Sequence, residues 1–240
     1  MHRGLATFSS PQRLPLTRSE VAQVTKLVMD AINALGFECM LMGETACSAH
    51  GGSRVSAGID VVVLATSVDR EALKRNLAAE DARFVLESPR DPNATHKVLL
   101  YEMPSTSPST YLCRPCKISI AMPQIRNVPD VPVERIAYGG PGEWQGLPLM
   151  PVVPLLILRL QDWTDHLHAK TPDLRDKRHT DARDIGELLE IAVRQAYGLD
   201  EDRAWMPASF IEGAERLIPG YIVIHPFTAY KWRRIGFSWA

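Results

Sequence analysis

The residues best suited to chemistry lie between positions 41 and 63, in the stretch LMGETACSAHGGSRVSAGIDVVV. A glycine turn at Gly43 leads into a short helical segment, and a helix N-terminus offers backbone N–H groups to a phosphate. Asp60 opens a hydrophobic strand, which fixes the direction of its carboxylate and suits it to hold a cation. With Arg54 in the loop between them, these residues predict half of a phosphate-and-metal site. The same pattern also occurs in α/β proteins without a site there.

Histidines and charged side chains supply a second set of candidates. Residues 175 to 184 crowd the entrance of a helix and hold His179, Asp181 and Asp184. Such a run is also typical of a solvated, charge-paired helix face. His179 is the favoured proton shuttle for metal-independent chemistry, because its ordinary pKa is nearest physiological pH. His50, at the end of the short helix, is a second candidate.

The pattern of apolar residues predicts the elements that position these side chains. Thr17 and Glu20 have capping-box spacing before an apolar stripe at helical spacing, and Gly36 suits the helix end. Ser67 or Asp69 is expected to cap a second long helix. The strand candidates are 37 to 42, 59 to 65, 84 to 87, 97 to 103 and 117 to 122. The sequence therefore predicts an α/β (α+β) fold with a mixed sheet, followed by a helical C-terminal half.

A change of composition divides the chain. Glycine and proline concentrate between 139 and 151 (GGPGEWQGLPLMP), which indicates a linker. We expect a flexible leader at 1–15, an α/β domain at 16–138, a helical domain at 152–218 and an aromatic and basic tail at 219–240. Aromatic rings interleaved with cations suit stacking on bases or docking on a partner. Such a tail also packs commonly over its own domain.

Composition excludes several classes of function. The formal net charge of the 240 residues is -1, which gives no global attraction to nucleic acids or anionic membranes. The longest apolar stretch is far shorter than the roughly 20 residues that span a bilayer. Four cysteines are too sparse for a disulfide scaffold. We expect a cytoplasmic protein whose partner is a nucleotide or small molecule and not a membrane; a nucleic-acid partner would need a local basic patch, and the sequence gives no oligomeric state.

Cys113 and Cys116 have the CxxC spacing of redox and zinc sites. A redox pair needs its first cysteine at a helix N-terminus, whereas this pair precedes a strand. A closed zinc site needs two more ligands, and Cys39 and Cys47 do not form a second close pair. Two ordinary thiols are therefore the favoured interpretation.

From about Gly36 to Arg194 the sequence resembles the polymerase-beta-type nucleotidyltransferase superfamily. Within it, the sequence looks like a divergent member of the small fungal nucleotidyltransferase-like proteins. Beyond the glycine turn and the acidic strand, the similar runs are CKISI (116 to 120), LPLMPVVPLLILRLQDWTDH (147 to 166) and RDKRHTDARDIGELLEIA (175 to 192). The resemblance implies a two-metal in-line displacement on nucleotide phosphates. It also implies that the helical half closes over the nucleotide, with His179, Asp181 and Asp184 facing the pocket.

The departures from the family pattern affect each part of that chemistry. Glu44 stands where a small second residue lets the triphosphate approach the backbone. Of two alternating acids on the next strand, the first position is Gly58 and only Asp60 remains. Ser119, after Lys117, replaces the third acid, which is expected to activate the acceptor hydroxyl. Such assistance contributes typically about 10²–10⁴-fold.

Asp60 alone still suits one weakly bound Mg²⁺ with a nucleotide, since magnesium needs only one or two protein carboxylates. If the longer side chain of Glu44 reached the position left empty at Gly58, Glu44 and Asp60 together would supply two carboxylate ligands for a metal ion. Against this, a carboxylate 4 Å from a phosphate repels it by about 4 kcal/mol at an effective dielectric constant near 20.

Three functions follow. The first is a nucleotidyltransferase-fold protein with an incomplete acid triad, binding a nucleotide or small molecule in an interdomain cleft, inactive or repurposed for metal-independent chemistry. The second is an active Mg²⁺-dependent transferase that uses Asp60 and Glu44. The third is an interaction protein that acts through its C-terminal tail. In the first case, the chemistry would rest on His50, Arg54, Lys117, His179 and Asp181.

Overall fold

The computed structural model describes residues 15–65, 68–89, 96–103, 114–123 and 128–239. The leader up to residue 14, the alternative cap Ser67 and the first cysteine of the CxxC pair, Cys113, lie outside the described residues.

The first helix, α1 (Arg18–Ala34), has the predicted ends. Thr17 and Glu20 form the reciprocal capping box, and Gly36 has a φ of +85° just past the last turn. The apolar stripe of α1 is buried against the sheet, with Val21, Val28 and Ile32 fully inaccessible. Asp69 caps α3 (Arg70–Glu80) by accepting a hydrogen bond from the Glu71 amide.

Seven strands form one mixed sheet: β1 (Cys39–Leu41), β2 (Gly58–Val63), β3 (Phe84–Glu87), β4 (Val98–Met103), β5 (Arg114–Ala121), β6 (Ala137–Tyr138) and β7 (Pro148–Leu149). Their order is β3-β4-β5-β2-β1-β7-β6. β2 pairs parallel with β5 and antiparallel with β1. The predicted mixed sheet is confirmed.

The glycine- and proline-rich segment 139–151, expected to be a linker, belongs to the edge of this sheet. β7 pairs parallel with β1 and antiparallel with β6, and the Met150 amide donates to the Leu41 carbonyl at 2.8 Å. The glycines serve the tight connection between β6 and β7: a Cβ on Gly139 would lie 1.9 Å from the Trp144 carbonyl oxygen. The turn-forming composition therefore reflects a compact loop that ends in a paired strand.

The remaining helices are short α2 (Gly43–Ala49), between β1 and β2, and those of the C-terminal half: α4 (Val152–Leu167), α5 (Pro172–Arg194), α6 (Leu199–Asp202), α7 (Ala208–Ile224) and α8 (Ala229–Arg234). α4 packs along α5 and against α7. The two halves share one hydrophobic core, and the C-terminal segment joins it through Trp232, Ile235 and Phe237. Within the described parts of the chain, no helix has the length and hydropathy to cross a bilayer.

Candidate functional site

The candidate site lies on one face of the central strand pair, β2 and β5. Their parallel register places Asp60 beside Ser119 and Gly58 beside Lys117. Lys117 and Ser119 are exposed, whereas Asp60 and Gly58 are partly buried. This face therefore offers one carboxylate, one hydroxyl and one ammonium group, and the sequence predicted all three side chains as site residues.

Gly43 and Asp60 are in direct contact. Gly43 has a φ of +55°, and a Cβ there would lie 2.7 Å from Asp60 Oδ2. The same oxygen accepts a hydrogen bond from the Glu44 amide at 3.2 Å. An amide that the sequence assigned to a phosphate is thus already bonded to a carboxylate of the protein, so an incoming phosphate has to compete with Asp60.

Asp60 is held from its backbone as well. Its amide donates to Thr45 Oγ1 at 3.0 Å, and that hydroxyl donates to the Gly58 carbonyl at 3.1 Å. Burial raises the pKa of Asp60, and the nearby negative charge of Glu44 raises it further. Arg159 and a hydrogen bond from Ser119 act in the opposite direction without reversing the shift. The ionised carboxylate is therefore a cost to the folded protein.

Replacing Asp60 with asparagine should consequently stabilise the protein at neutral pH. The amide oxygen of asparagine can still accept hydrogen bonds, while the buried charge is removed. Because the pKa of Asp60 is higher in the folded state, its cost is complete above that pKa and disappears below about pH 4. Urea unfolding at pH 7 and pH 4 should show a gain in free energy of unfolding at the higher pH only.

Asp165, which is exposed, provides the matched control. Asp165→Asn is expected to change the free energy of unfolding by less than about 0.5 kcal/mol at either pH. If Asp60→Asn raised the free energy of unfolding equally at pH 7 and pH 4, the buried charge of Asp60 would not be the cause of the destabilisation.

Arg54 connects this region to the helical half. Its guanidinium donates to Glu44 Oε2 at 2.9 Å and to the two oxygens of Asp184 at 2.7 and 3.2 Å. Burial alone would raise the pKa of Glu44, but the hydrogen bond and charge of Arg54 lower it overall. Glu44 is thus ionised and paired with a cation, with its side chain turned to Arg54 while its amide faces Asp60.

A buried arginine continues the ion network. Arg159 of α4 bonds to Asp181, to Asp184 at 3.0 Å and to Asp162 at 2.9 Å. Asp181 also bonds to His166 Nδ1. Arg159, Asp181 and Asp184 are each less than 5% exposed. The two acids predicted to face a pocket thus pair with the buried Arg159, and Asp184 pairs also with the partly exposed Arg54.

The two histidines predicted as proton shuttles lie in other parts of the fold: His50 follows α2, and His179 lies on α5. His50 Nε2 bonds to the Met150 carbonyl at 2.8 Å, and burial lowers the pKa of His50. It lines a cavity of about 180 Å³ with Arg135, Tyr197 and Asp202. His179 is exposed on α5. Burial lowers the pKa of His225, and the nearby charge of His179 lowers the pKa of His225 further.

Sequence reasoning missed Arg159 and His166. Arg159 stands in the apolar run VVPLLILRL, and a lone arginine there signals a buried cation that needs carboxylate partners. His166 stands in the last turn of α4, and its neighbours along the chain do not mark it as the partner of an acid. Its partner Asp181 lies on the next helix, where no spacing along the sequence reveals it.

The residues present do not fit the two-metal centre that the resemblance implies. Gly58 has no side chain, Ser119 is not a carboxylate, and Glu44 is bound to Arg54. Among the described residues, no three His, Cys, Asp or Glu side chains are grouped to hold a metal ion. The predicted pair of Asp60 and Glu44 therefore lacks a free second carboxylate in this arrangement.

Comparison with solved structures identifies the fold. The chain is similar to an antigenic nucleotidyltransferase-like protein from Paracoccidioides brasiliensis, with a TM-score of 0.66, 14% identity, and coverage of 92% of this chain and 95% of that chain. JHP933 from Helicobacter pylori matches 86% of this chain and 79% of its own, with 16% identity and a TM-score of 0.45. No family model and no curated protein matches the sequence. The mixed sheet and its helices thus form a nucleotidyltransferase-like fold.

Proposed function

We propose that this protein binds a nucleotide or a similar small molecule through its nucleotidyltransferase-like fold and does not perform metal-dependent nucleotidyl transfer. One observation carries the proposal: the face formed by β2 and β5 has a single carboxylate, Asp60, with Gly58, Lys117 and Ser119 around it. A two-metal displacement requires enough ligands to hold both ions across the reacting phosphate. One acid with a raised pKa does not supply them.

Glu44 supports the same conclusion. In the family pattern a small residue at this position leaves the backbone open to a triphosphate, whereas here a carboxylate is fixed beside the turn by Arg54. Arg54 is also held by Asp184, so its charge is already matched by acids. A polyphosphate would meet at this turn a single arginine that two acids already share.

The exposed residues of the face indicate how a ligand is bound. Lys117 supplies an exposed ammonium group that can pair with a phosphate as a point charge. Ser119 supplies a hydroxyl that is hydrogen-bonded to Asp60. A ligand with one phosphate and neighbouring hydroxyl groups satisfies these partners without a metal ion.

Thermal unfolding with and without ligand, combined with a pyrophosphate assay, tests this function. Nucleoside mono- and triphosphates would be added to the full chain with and without Mg²⁺. We expect stabilisation by at least one nucleotide, of about 2.7 kcal/mol at a hundred times its Kd, and no pyrophosphate release. The double variant Lys117→Ala and Ser119→Ala should lose the stabilisation.

Two outcomes would overturn the proposal. Pyrophosphate release that is abolished in Asp60→Ala would establish an active transferase. Unchanged thermal unfolding with every nucleotide, together with no turnover, would remove nucleotide binding and leave the interaction protein considered above.

Replacing Glu44 with serine should tighten binding of triphosphates. The change removes the carboxylate beside the turn and frees one side of Arg54 to meet a phosphate oxygen. Because Arg54 already offsets most of the repulsion, we expect the Kd to fall by about tenfold, equivalent to about 1.4 kcal/mol. Calorimetric titration with a triphosphate at low salt provides the measurement.

Glu212→Ser is the control for this change, since it removes one negative charge from an exposed position on α7. It should leave the Kd unchanged. Equal tightening in both variants would show that only the net charge of the protein had been altered.

A further inference from the structure

Large apolar side chains protrude where α7 ends and the chain turns into α8. Phe227 is 87% exposed, Val223 81%, Tyr230 62% and Ile224 52%. They lie within eight consecutive residues. Exposed apolar side chains grouped in this way, unlike single scattered ones, indicate an interaction site.

Helical geometry separates this surface from the core. Residues 226 to 234 are helical throughout, as a 3-10 turn (Pro226–Thr228) that continues into α8. Trp232, on the inner face, is fully buried. Phe227, Tyr230 and Arg234 are spaced to share the outer face. The outer face is therefore apolar at one end and cationic at the other.

The surroundings of this face are basic. No Asp or Glu occurs after Glu215, whereas Lys231, Arg233 and Arg234 do. The neighbouring helix α5 adds exposed Arg175, His179 and Arg183, which lie on one side of it at intervals of four residues, and His179 is close to His225. Three acids reduce this charge: Glu190 pairs with Lys231, and Asp173 and Asp176 are exposed near Arg175.

We propose that this basic and apolar surface, comprising residues 223 to 234 and the exposed side of α5, binds the surface of an anionic lipid bilayer. Interfacial helices bury apolar side chains about 5–10 Å into the boundary between headgroups and acyl chains, with cations on the anionic headgroups. Protruding side chains such as Phe227 and Val223 suit insertion into a fluid layer. Charge complementarity favours anionic lipid, although the chain as a whole is nearly neutral.

Other occupants fit this surface less well. A two-fold dimer sets the same patch of both copies face to face, so Arg233 and Arg234 would approach a second set of cations that outnumbers the acids of the patch. Single-stranded nucleic acid uses aromatic rings to stack bases, which suits Phe227 and Tyr230. It leaves the aliphatic Val223 and Ile224 without a role.

Co-sedimentation of the full chain with vesicles tests the proposal. The vesicles would be pure phosphatidylcholine, or phosphatidylcholine with about a third phosphatidylserine. We expect binding to the anionic vesicles only, weakened by salt. The double variant Phe227→Ser and Tyr230→Ser should bind at least about tenfold more weakly, and its thermal unfolding should match that of the unaltered protein because both side chains are exposed.

The double variant Val133→Ser and Tyr138→Ser removes two exposed apolar side chains far along the chain from this surface, 60% and 62% accessible, and should bind like the unaltered protein. Three results would overturn the proposal: no sedimentation with anionic vesicles, equal losses in the two double variants, or a dimer or oligonucleotide complex in place of vesicle binding that Phe227→Ser and Tyr230→Ser abolish.

Discussion

Replacing Arg159 with alanine is expected to lower the free energy of unfolding by about 3–5 kcal/mol. Arg159 is 4% exposed and bonds to Asp181 and Asp184, each 2% exposed. Among the described residues, its removal leaves Asp181 with His166 and Asp184 with Arg54 as ion-pair partners. An uncompensated charge in the interior costs far more than an exposed pair gains. Urea unfolding followed by circular dichroism measures the change.

Arg216→Ala supplies the comparison, because Arg216 and Glu212 form an ion pair that is mostly exposed. Its loss should cost less than about 1 kcal/mol. If Arg159→Ala does not fold, Arg159→Lys keeps the charge and should give a smaller, measurable loss. Equal effects at positions 159 and 216 would contradict the account of a buried network that joins the two halves.

Introducing an aspartate at Gly58, the first acid position of the pattern that the sequence resembles, is expected to damage the sheet. A Cβ on residue 58 would lie 2.6 Å from the Lys117 carbonyl oxygen, which is backbone of the paired strand and cannot move alone. Forcing atoms into a filled site costs about 1–3 kcal/mol or more. Chemical unfolding should show this loss, and we expect no pyrophosphate release by the variant with Mg²⁺.

Gly186→Ala in α5 is a control of opposite sign. A Cβ there meets nothing within 4 Å, so the helix should gain about 0.5–1 kcal/mol from the substitution. A Gly58→Asp protein with unaltered stability and new pyrophosphate release would show that the strands accommodate a second acid, and would reopen the transferase hypothesis.

Local patterns were enough to predict much of the fold. The capping box at Thr17 and Glu20 identified α1 because its two reciprocal hydrogen bonds need only that spacing. The β-branched run after Asp60 identified a strand that is covered on both faces of the sheet. The resemblance aligned Ser119, on the neighbouring strand, with the third acid position of the family pattern. Each of these signals depends on neighbours in the chain or on one strand pair.

Tertiary context determined the rest. Glycine and proline at 139–151 serve both loops and linkers, and only the pairing of Leu149 with Leu41 distinguishes the two. Charge within residues 175 to 184 did not reveal which side chains turn inward. The burial of Asp181 and Asp184 depends on Arg159, which lies on a different helix, while His179 faces solvent.

The placement of β7 has a consequence for any attempt to divide the protein. β1 lies between β2 and β7, and Cys39, Met40 and Leu41 are almost fully buried. A fragment that stops at residue 138 lacks β7, so β1 would become an edge strand with unpaired backbone amides and carbonyls. Such an edge pairs readily with other chains. Separate expression of the two halves would then report aggregation through the unpaired edge of β1. It would not show whether either half folds independently.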